Sequence, residues 1–600
     1  MRILGLWDGH NASAAAVDNG RIVAAVAEER LTRSKMQRGF PHRAVPLVLR
    51  LAGWRADEVD QVAAAGRYGR LPMRLLDGWY AASGVSPGPM APAQRASRHL
   101  EGITSYVPGI RAVESALSRA VLCRRLVGLG FRRDVPVTLV PHHGAHAAGA
   151  ASMLPGDGAV LTMDGYGDGL WATLHERSVT GHRRVETRAY PSSIAITYGA
   201  VCQALGFREG DEGKVTALAA SGDPAPLLPL FLGLFGLHPG ASAGSRLPDL
   251  PAGRTTWGPG PAFGALGVLR GGLPSRNELR RIAAARPEDA AAALQAACEQ
   301  YVVAFLRTRL SSPPAALGLA GGLFANVSIN RRISDLLAES DVQVFPAMSD
   351  QGLSVGAALA VAEVAPTVAG TAATLAGAEM ALRFGTPFLG APISNGRAGP
   401  EALRRGLVVE ERPNPELRCA EVLARGGTVA VVSGREEFGP RALGNRSLLF
   451  PAVSAEIADR VQGMLRRSPL MPFAPACRAE RAESLFLPPW PAPGRPDRGL
   501  GYMTFAVRAR PETQARFPAA VHHDGTARVQ LVTPKANPRF DAILEAYEGL
   551  TGLPLVINTS FNLHGDPIVH GEQDAVETFL ECGADLLLLG DLLVSRGGTE

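Results

Sequence analysis

Apolar positions recur with two periods along this chain, and they divide it into alternating strands and helices. Near the N-terminus, Arg2–Leu6 predicts a strand, Trp7-Asp8-Gly9-His10-Asn11-Ala12-Ser13 a polar turn, and Ala14–Val17 a second strand. Asp18-Asn19-Gly20 has hairpin-turn chemistry, and Arg21–Ala27 predicts a third strand. The same order returns at Ala159–Leu174, AVLTMDGYGDGLWATL: strand, Asp-Gly turn, strand, with a further turn at Thr180-Gly181. Two strand–DG–strand units, each followed by another strand, predict an internal repeat. Helical spacing marks Arg111–Val127 and Pro287–Leu310. Leu317–Ile333, LGLAGGLFANVSINRRI, reads as strand, Gly-Gly turn and helix, and Val342–Ala362 places Asp350 in a turn before a small-residue helix. Residues 364–385 are low in charge and predict a linker. Beyond it, Val429–Leu449 and Leu555–Asn562 are buried strands that enter loops rich in hydrogen-bonding groups.

Composition narrows the class. With 600 residues, more than one core is expected, and the boundaries fall at 1–363, 364–385 and 386–600. Hydrophobic content of 46% with 20% charge describes a globular chain, and there is no uncharged run of about 18 apolar residues to span a membrane. The N-terminus has no secretory pattern, so the expected location is cytoplasmic. Six scattered cysteines without a C-x-x-C pair argue against a zinc ribbon or disulfide framework. A net charge of +5, spread out, calls for no nucleic-acid partner. Only three lysines remain among many arginines, Lys35, Lys214 and Lys535. A lysine that persists in such a chain marks a place for a compact ammonium, or survives by chance.

The candidate chemistry starts at VPHHGAHAAGA, residues 140–150. His142 and His146 stand four apart, so a helix puts both imidazoles on one face, where they can share a metal. The Glu of H-E-x-x-H is missing, which argues against a zinc protease and requires ligands from elsewhere. Asp164, ending an apolar strand, and Asp350, in its turn, are the candidates; Asp168 lies further along its turn. His10 is a candidate acid or base. Gly321 and Gly322 form a turn against which a nucleotide could lie, with Asn326 just beyond. Arg435, Arg441 and Arg446, clustered around glycines beside a buried strand, suggest an anion cradle. The duplicated hairpins are of the kind that serve as phosphate loops in actin-like ATPases.

Several motifs in order carry a resemblance: GHNASAAAV, EERLTRSK, HHGAH, DEGKV, LAGGLFANVSINRRI, GREEFGPRALGNRS, MPFAP, HDGTARVQ and NTSFN. With these the chain resembles the NodU/CmcH-type O-carbamoyltransferases over nearly its whole length. The resemblance implies an α/β protein: a duplicated actin-like (ASKHA) N-terminal domain, then a YrdC-like α/β domain. It implies that carbamoyl phosphate and ATP give carbamoyl-adenylate in the C-terminal domain. The carbamoyl group then passes, in a metal-containing N-terminal domain, to a hydroxyl of a small specialised metabolite. The implied metal ligands are His142, His146, Asp164 and Asp350, holding Fe(II) or another divalent transition metal, with Mg²⁺ accompanying ATP. His10 matches the candidate general base and Lys35 the basic stretch. Arg441, Arg466, Arg528, Ser560 and Asn562 match the C-terminal site, joined at the nucleotide by Gly321, Gly322 and Asn326. Two departures stand out: Arg466 lies where the family commonly has a nearby Lys, and Met471 replaces an Arg. A tRNA threonylcarbamoyladenosine synthase-like fusion and an inactive nucleotide-binding regulator are the alternatives. The acceptor is left open, as is the oligomeric state, with which a homodimer is compatible.

Overall fold

The computed structural model describes all residues except 69, 76–107, 179–180, 190–191, 209, 238–273, 365–383, 471, 493, 495–496 and 598–600. Most of the predicted linker, most of residues 222–275, which are rich in Gly and Pro, residues 82–107, whose sequence predicts loops, and Met471 therefore lie outside the described residues. The architecture is mixed α/β, built on several sheets.

The repeat expected from the two Asp-Gly turns is present in the topology. Strands β1 (Arg2–Trp7), β2 (Ser13–Asp18), β3 (Arg21–Ala27), β4 (Gln61–Ala65) and β5 (Val137–Val140) form one sheet, ordered β3-β2-β1-β4-β5. Strands β6 (Gly158–Gly167), β7 (Leu170–Ser178), β8 (Gly181–Ala189), β9 (Ala316–Ala320) and β10 (Asp341–Val344) form a second, ordered β10-β9-β6-β7-β8. Counted from the hairpin, both orders are the same, and so are the senses: antiparallel in the hairpins, parallel outside them. Leu6 pairs with Ala64 on the parallel neighbour, and Thr162 pairs with Ala320. Two residues further on, each strand reaches an aspartate, Asp8 or Asp164.

Two helices fill the space between these sheets. His142–Ala151 packs on β6, β7 and β9, while Leu353–Val364 packs on β1, β2 and β4, and the two helices pack on each other. Small residues make this possible. A Cβ on Gly5 would sit 1.9 Å from the Ser354 carbonyl oxygen, and one on Gly356 would sit 1.9 Å from that of Ala145. Backbones this close leave no room for side chains, so the Ala/Gly content that weakens the hydrophobic period is itself a packing device. The helix Pro108–Gly128 forms as expected, but its buried stripe is Glu114, Ser118, Leu122 and Leu126. The apolar Val113 and Leu117 of the same helix are exposed.

The C-terminal part is built on eight strands: β12 (Val408–Glu411), β13 (Val429–Val432), β15 (Arg446–Pro451), β16 (Ala474–Arg478), β20 (Gln530–Val532), β21 (Leu555–Ser560), β22 (Leu586–Leu589) and β23 (Leu592–Ser595). Their order is β12-β23-β22-β13-β15-β21-β16-β20. Two small sheets, β11 (Phe388–Pro392) with β14 (Arg435–Glu437), and β17 (Phe486–Leu487), β18 (Val507–Ala509) and β19 (Thr526–Ala527), join it to the N-terminal part. The largest apolar cluster runs continuously from Trp171 and Phe305 to Phe450 and Phe486. Among the described residues, no helix is long and apolar enough to cross a membrane.

Candidate functional site

Strand β5 ends at Val140, Pro141 turns the chain, and the helix His142–Ala151 begins at once. His142 and His146 therefore project one turn apart at the mouth between the two sheets. His146 Nε2 lies 2.9 Å from Asp164 Oδ2 and 3.8 Å from Asp350 Oδ1. His142 Nε2 lies 3.5 Å and 3.7 Å from the same two atoms. The four ligand atoms fall within 4.8 Å of one another, although they come from three separate segments of chain. Asp350 opens the short turn Asp350–Gly352, which leads directly into the helix Leu353–Val364.

The site is held by its surroundings. Asp168, at the tip of the β6–β7 hairpin, accepts the His142 backbone N–H at 2.6 Å and the Arg67 and Tyr68 N–H groups at 2.9 Å and 2.8 Å. It is thus a positioning residue for the helix start and not one of the clustered ligands. A Cβ on Gly167 would fall 2.2 Å from the His142 ring, and one on Gly322 would fall 3.1 Å from Asp164 Oδ1. Gly321 has φ of +109° and donates its N–H to Met348. Trp7 stands edge-on to His142, with ring centroids 5.5 Å apart, and its indole N–H donates to the His10 carbonyl at 2.6 Å. His10 therefore sits one residue contact from the histidine pair.

The charges fit a cation. Burial opposes a proton on His146, but the Asp164 and Asp350 carboxylates outweigh it and raise His146 to about 9. Burial likewise pushes Asp164 up, and the two imidazoles more than reverse that, holding it well below the usual carboxylate range. His142 Nε2 is buried without a hydrogen-bond partner among the described residues. Two imidazole nitrogens and two carboxylate oxygens, one of them an orphan, form a donor set suited to Fe(II), Mn(II) or Zn(II). At the equivalent place in the first sheet, Asp8 has a different fate. Arg74 binds it at 2.7 Å and Arg70 at 3.2 Å, and together they overcome burial and lower it to about 2. The repeat thus neutralises one aspartate with arginines and leaves the other facing histidines.

Arg441, Arg467 and Arg528 form a second cluster in the C-terminal part. Burial lowers Arg441 to about 10; burial and Arg441 lower Arg467 to about 10; burial, Arg441 and Arg467 push Arg528 well below its usual value. None of the three has a carboxylate within ion-pair distance among the described residues. Arg467 donates to Thr559 Oγ1 at 2.5 Å and stacks 4.6 Å over Phe473. Arg441 donates to the Ala325 carbonyl at 3.4 Å, so this cluster touches the GGLFAN segment that walls the histidine site.

Other expected residues are placed differently. Arg466 is exposed, with Glu581 3.8 Å away, and it is Arg467 that turns inward. Arg466 occupies φ of +54° at the end of the helix Ala455–Met464, and that turn decides which of the two faces the cluster. Of the expected cradle of Arg435, Arg441 and Arg446, only Arg441 joins the cluster. Arg435 donates to the Gly390, Leu389 and Val23 carbonyls, and Arg446 to those of His570, Ser433 and Ala391. Asn326 caps the helix Val327–Leu336 and bonds Gln295 at 2.8 Å. Lys35 is exposed, and after burial the charges of Lys214 and Lys35 lower His564. Ser560 ends β21, and Asn562 donates to the Leu563 and Asp566 carbonyls, leaving its Oδ1 buried and unpartnered among the described residues. Trp7 was not singled out from sequence; Asp168 was read only as the less favoured ligand, and Arg467 only as an alternative to Arg466 in covering for the family's lysine.

Comparison with known proteins gives the class. Residues 2–236 and 265–359 match the family described as Carbamoyltransferase N-terminus, and residues 420–596 match Carbamoyltransferase C-terminus. The chain belongs to the carbamoyltransferase family. Among its relatives is nodulation protein NolNO of Sinorhizobium fredii, 30% identical over 596 residues, covering 98% of this chain and 79% of that protein. Nodulation protein NolO of Bradyrhizobium diazoefficiens is 32% identical over 464 residues, covering 76% of this chain and 78% of that protein. The solved structure of full-length HypF in its phosphate- and nucleotide-bound form aligns at 16% identity with a TM-score of 0.22, over 31% of this chain and 22% of that one. A likeness so slight carries no argument.

Proposed function

We propose that the protein is an ATP-dependent O-carbamoyltransferase with two sites, one for activation and one for transfer. In this reading the two like-ordered sheets are the halves of an actin-like domain, and the eight-stranded part is a YrdC-like domain. The observation that carries it is the carboxylate-free cluster of Arg441, Arg467 and Arg528. Arg441 depresses Arg467, and both depress Arg528, a standing electrostatic penalty that a polyanion would relieve.

In the C-terminal site, water cleaves carbamoyl phosphate to carbamate and phosphate. The carbamate oxygen then attacks the α-phosphorus of Mg²⁺-bound ATP, expelling pyrophosphate and leaving carbamoyl-adenylate. The arginines hold the phosphates in line and stabilise charge as it builds. Gly321 and Gly322 let the nucleotide lie against the backbone. Asn326 keeps the adjoining helix start in place, and Ser560 and Asn562 line the approach. In the N-terminal site, the acceptor hydroxyl attacks the carbamoyl carbon and AMP leaves. His10 takes the hydroxyl proton, Trp7 fixes the His10 backbone, and Lys35 meets the phosphate at the entrance. His142, His146, Asp164 and Asp350 would hold a divalent transition metal, Fe(II) in the first instance, which would supply Lewis acidity toward a phosphate oxygen. The acceptor is a small molecule with a free hydroxyl.

Purified protein given ATP, Mg²⁺ and carbamoyl phosphate is expected to release pyrophosphate only when carbamoyl phosphate is present. Absence of that release, or release that ignores carbamoyl phosphate, overturns the activation step.

A further inference from the structure

The three arginines of the activation site only donate hydrogen bonds and the Asn562 Oδ1 is one buried acceptor placed with them, yet a carbamoyl group carries two N–H donors. Guanidiniums satisfy phosphate and carbonyl oxygens and can accept nothing. An acceptor is needed wherever the amide nitrogen lies.

The turn before Arg528 supplies one, and its hydrogen bonds determine which ring nitrogen keeps the lone pair. Asp524 Oδ1 accepts the Thr526 backbone N–H at 3.0 Å and the Thr526 hydroxyl at 2.7 Å. That hydroxyl has one proton, and the carboxylate takes it. Thr526 Oγ1 can then only accept from its other neighbour, His522 Nδ1, at 3.1 Å. The neutral imidazole is thereby fixed as the Nδ1–H tautomer, with the lone pair on Nε2. The turn is closed by the His522 N–H donating to the Thr526 carbonyl at 2.7 Å and the Gly525 N–H to the His522 carbonyl at 3.0 Å. Nε2 itself is buried with no hydrogen-bond partner among the described residues. Burial, followed by the charge of Arg528, lowers His522 to about 4, so the ring stays neutral at physiological pH.

We propose that His522 Nε2 accepts a hydrogen bond from the carbamoyl N–H, making His522 a specificity-determining residue that selects carbamoyl phosphate over acyl phosphates lacking that N–H. Asp524 and Thr526 act through it as positioning residues. The assignment rests on the activation reading above. Acetyl phosphate, with a methyl group in place of NH₂, is the matched probe: it satisfies every arginine and leaves Nε2 bare. A site built around a polar contact discriminates strongly against a substrate that lacks it.

The test compares the KM for carbamoyl phosphate in pyrophosphate release with the inhibition constant of acetyl phosphate, in the full-length protein. In His522→Leu the KM is expected to rise about 10- to 100-fold, while the inhibition constant of acetyl phosphate and the KM for ATP hold. His522→Gln, which keeps a side-chain oxygen, should recover part of the loss. Thr526→Val, which leaves the imidazole but frees its tautomer, should show the same selective loss at smaller size, with recovery in Thr526→Ser. Equal weakening of both acyl phosphates in these variants, or no change in either, overturns the assignment and leaves activation standing. Wild-type protein that releases no pyrophosphate overturns both.

Discussion

His146 is charged in the metal-free protein because Asp164 and Asp350 outweigh its burial, and this gives the site a pH signature. Its folded value is raised to about 9 from an ordinary 6.5. Between those values the native state holds a proton that the unfolded chain has lost, so the stabilisation is full below about 6.5 and disappears as pH rises through about 9. The thermal midpoint of metal-stripped protein is therefore expected to fall from pH 6.5 to 9, and His146→Gln should flatten that slope; a level wild-type profile would count against the charge pattern. Added metal must displace the proton, so binding should strengthen with pH. The arginine cluster predicts the opposite relation between function and stability. Arg528→Gln removes the most depressed cation, so the ligand-free variant should melt no lower than wild type, and inorganic phosphate should no longer raise its midpoint. At this scale the histidine pair was legible because its spacing is local, four residues on one helix. Arg467 was not, because the choice between two adjacent arginines rests on the left-handed turn at Arg466. Arg435 and Arg446 misled for a related reason: their carbonyl partners are tertiary, some of them far away in sequence.

Elements position these residues more tightly than the residues position each other. The helix His142–Ala151 reaches its place because Gly167 has no side chain: a Cβ there would stand 2.2 Å from the His142 ring. Gly167→Ala should therefore displace the helix start, lowering stability by about 1–3 kcal/mol and reducing bound metal. Measuring metal content beside a urea unfolding curve separates the two effects, and full metal occupancy in a folded variant would contradict this packing account. Strands and hairpins around the Asp-Gly turns were readable from alternation and turn chemistry, and so was their repetition. What periodicity could not show was that helices of alanine and glycine lie between the sheets. Their low hydrophobicity reads as weak, yet it is what allows the Ser354 and Ala145 carbonyls to approach Gly5 and Gly356. The helix Pro108–Gly128 shows the converse: its apolar residues marked a helix, but polar Glu114 and Ser118 lie on the buried stripe.

At the scale of the molecule, buried contacts tie the N-terminal part to the C-terminal part. Arg30, on the N-terminal side, pairs with Glu436 at 3.1 Å, both buried, and donates to the Gly439 carbonyl at 3.2 Å. His570 holds the other Glu436 oxygen at 2.8 Å. Arg33 reaches the Ile568 and Pro567 carbonyls at 2.7 Å and 2.9 Å. Removing one partner of a buried pair strands the other, so Arg30→Met is expected to destabilise the protein by about 3 kcal/mol, with partial recovery in the double variant carrying Glu436→Gln. A chemical-denaturation cycle checks this, and additive losses would refute the coupling. None of these contacts was visible in sequence, since their partners lie between 134 and 535 residues apart. The division of labour between the sites is the central claim, and separate assays of the half-reactions test it most directly. Carbamoyl phosphate-dependent pyrophosphate release and carbamoyl transfer to an acceptor hydroxyl would be measured for wild type, His146→Ala and Arg528→Ala. His146→Ala should keep pyrophosphate release near wild type while losing transfer and bound metal. Arg528→Ala should lose pyrophosphate release by 100-fold or more, on the order of one electrostatic contact to the transferring phosphoryl group, yet keep its metal. Equal loss of both half-reactions in His146→Ala, in a protein that remains folded, would contradict the two-site account.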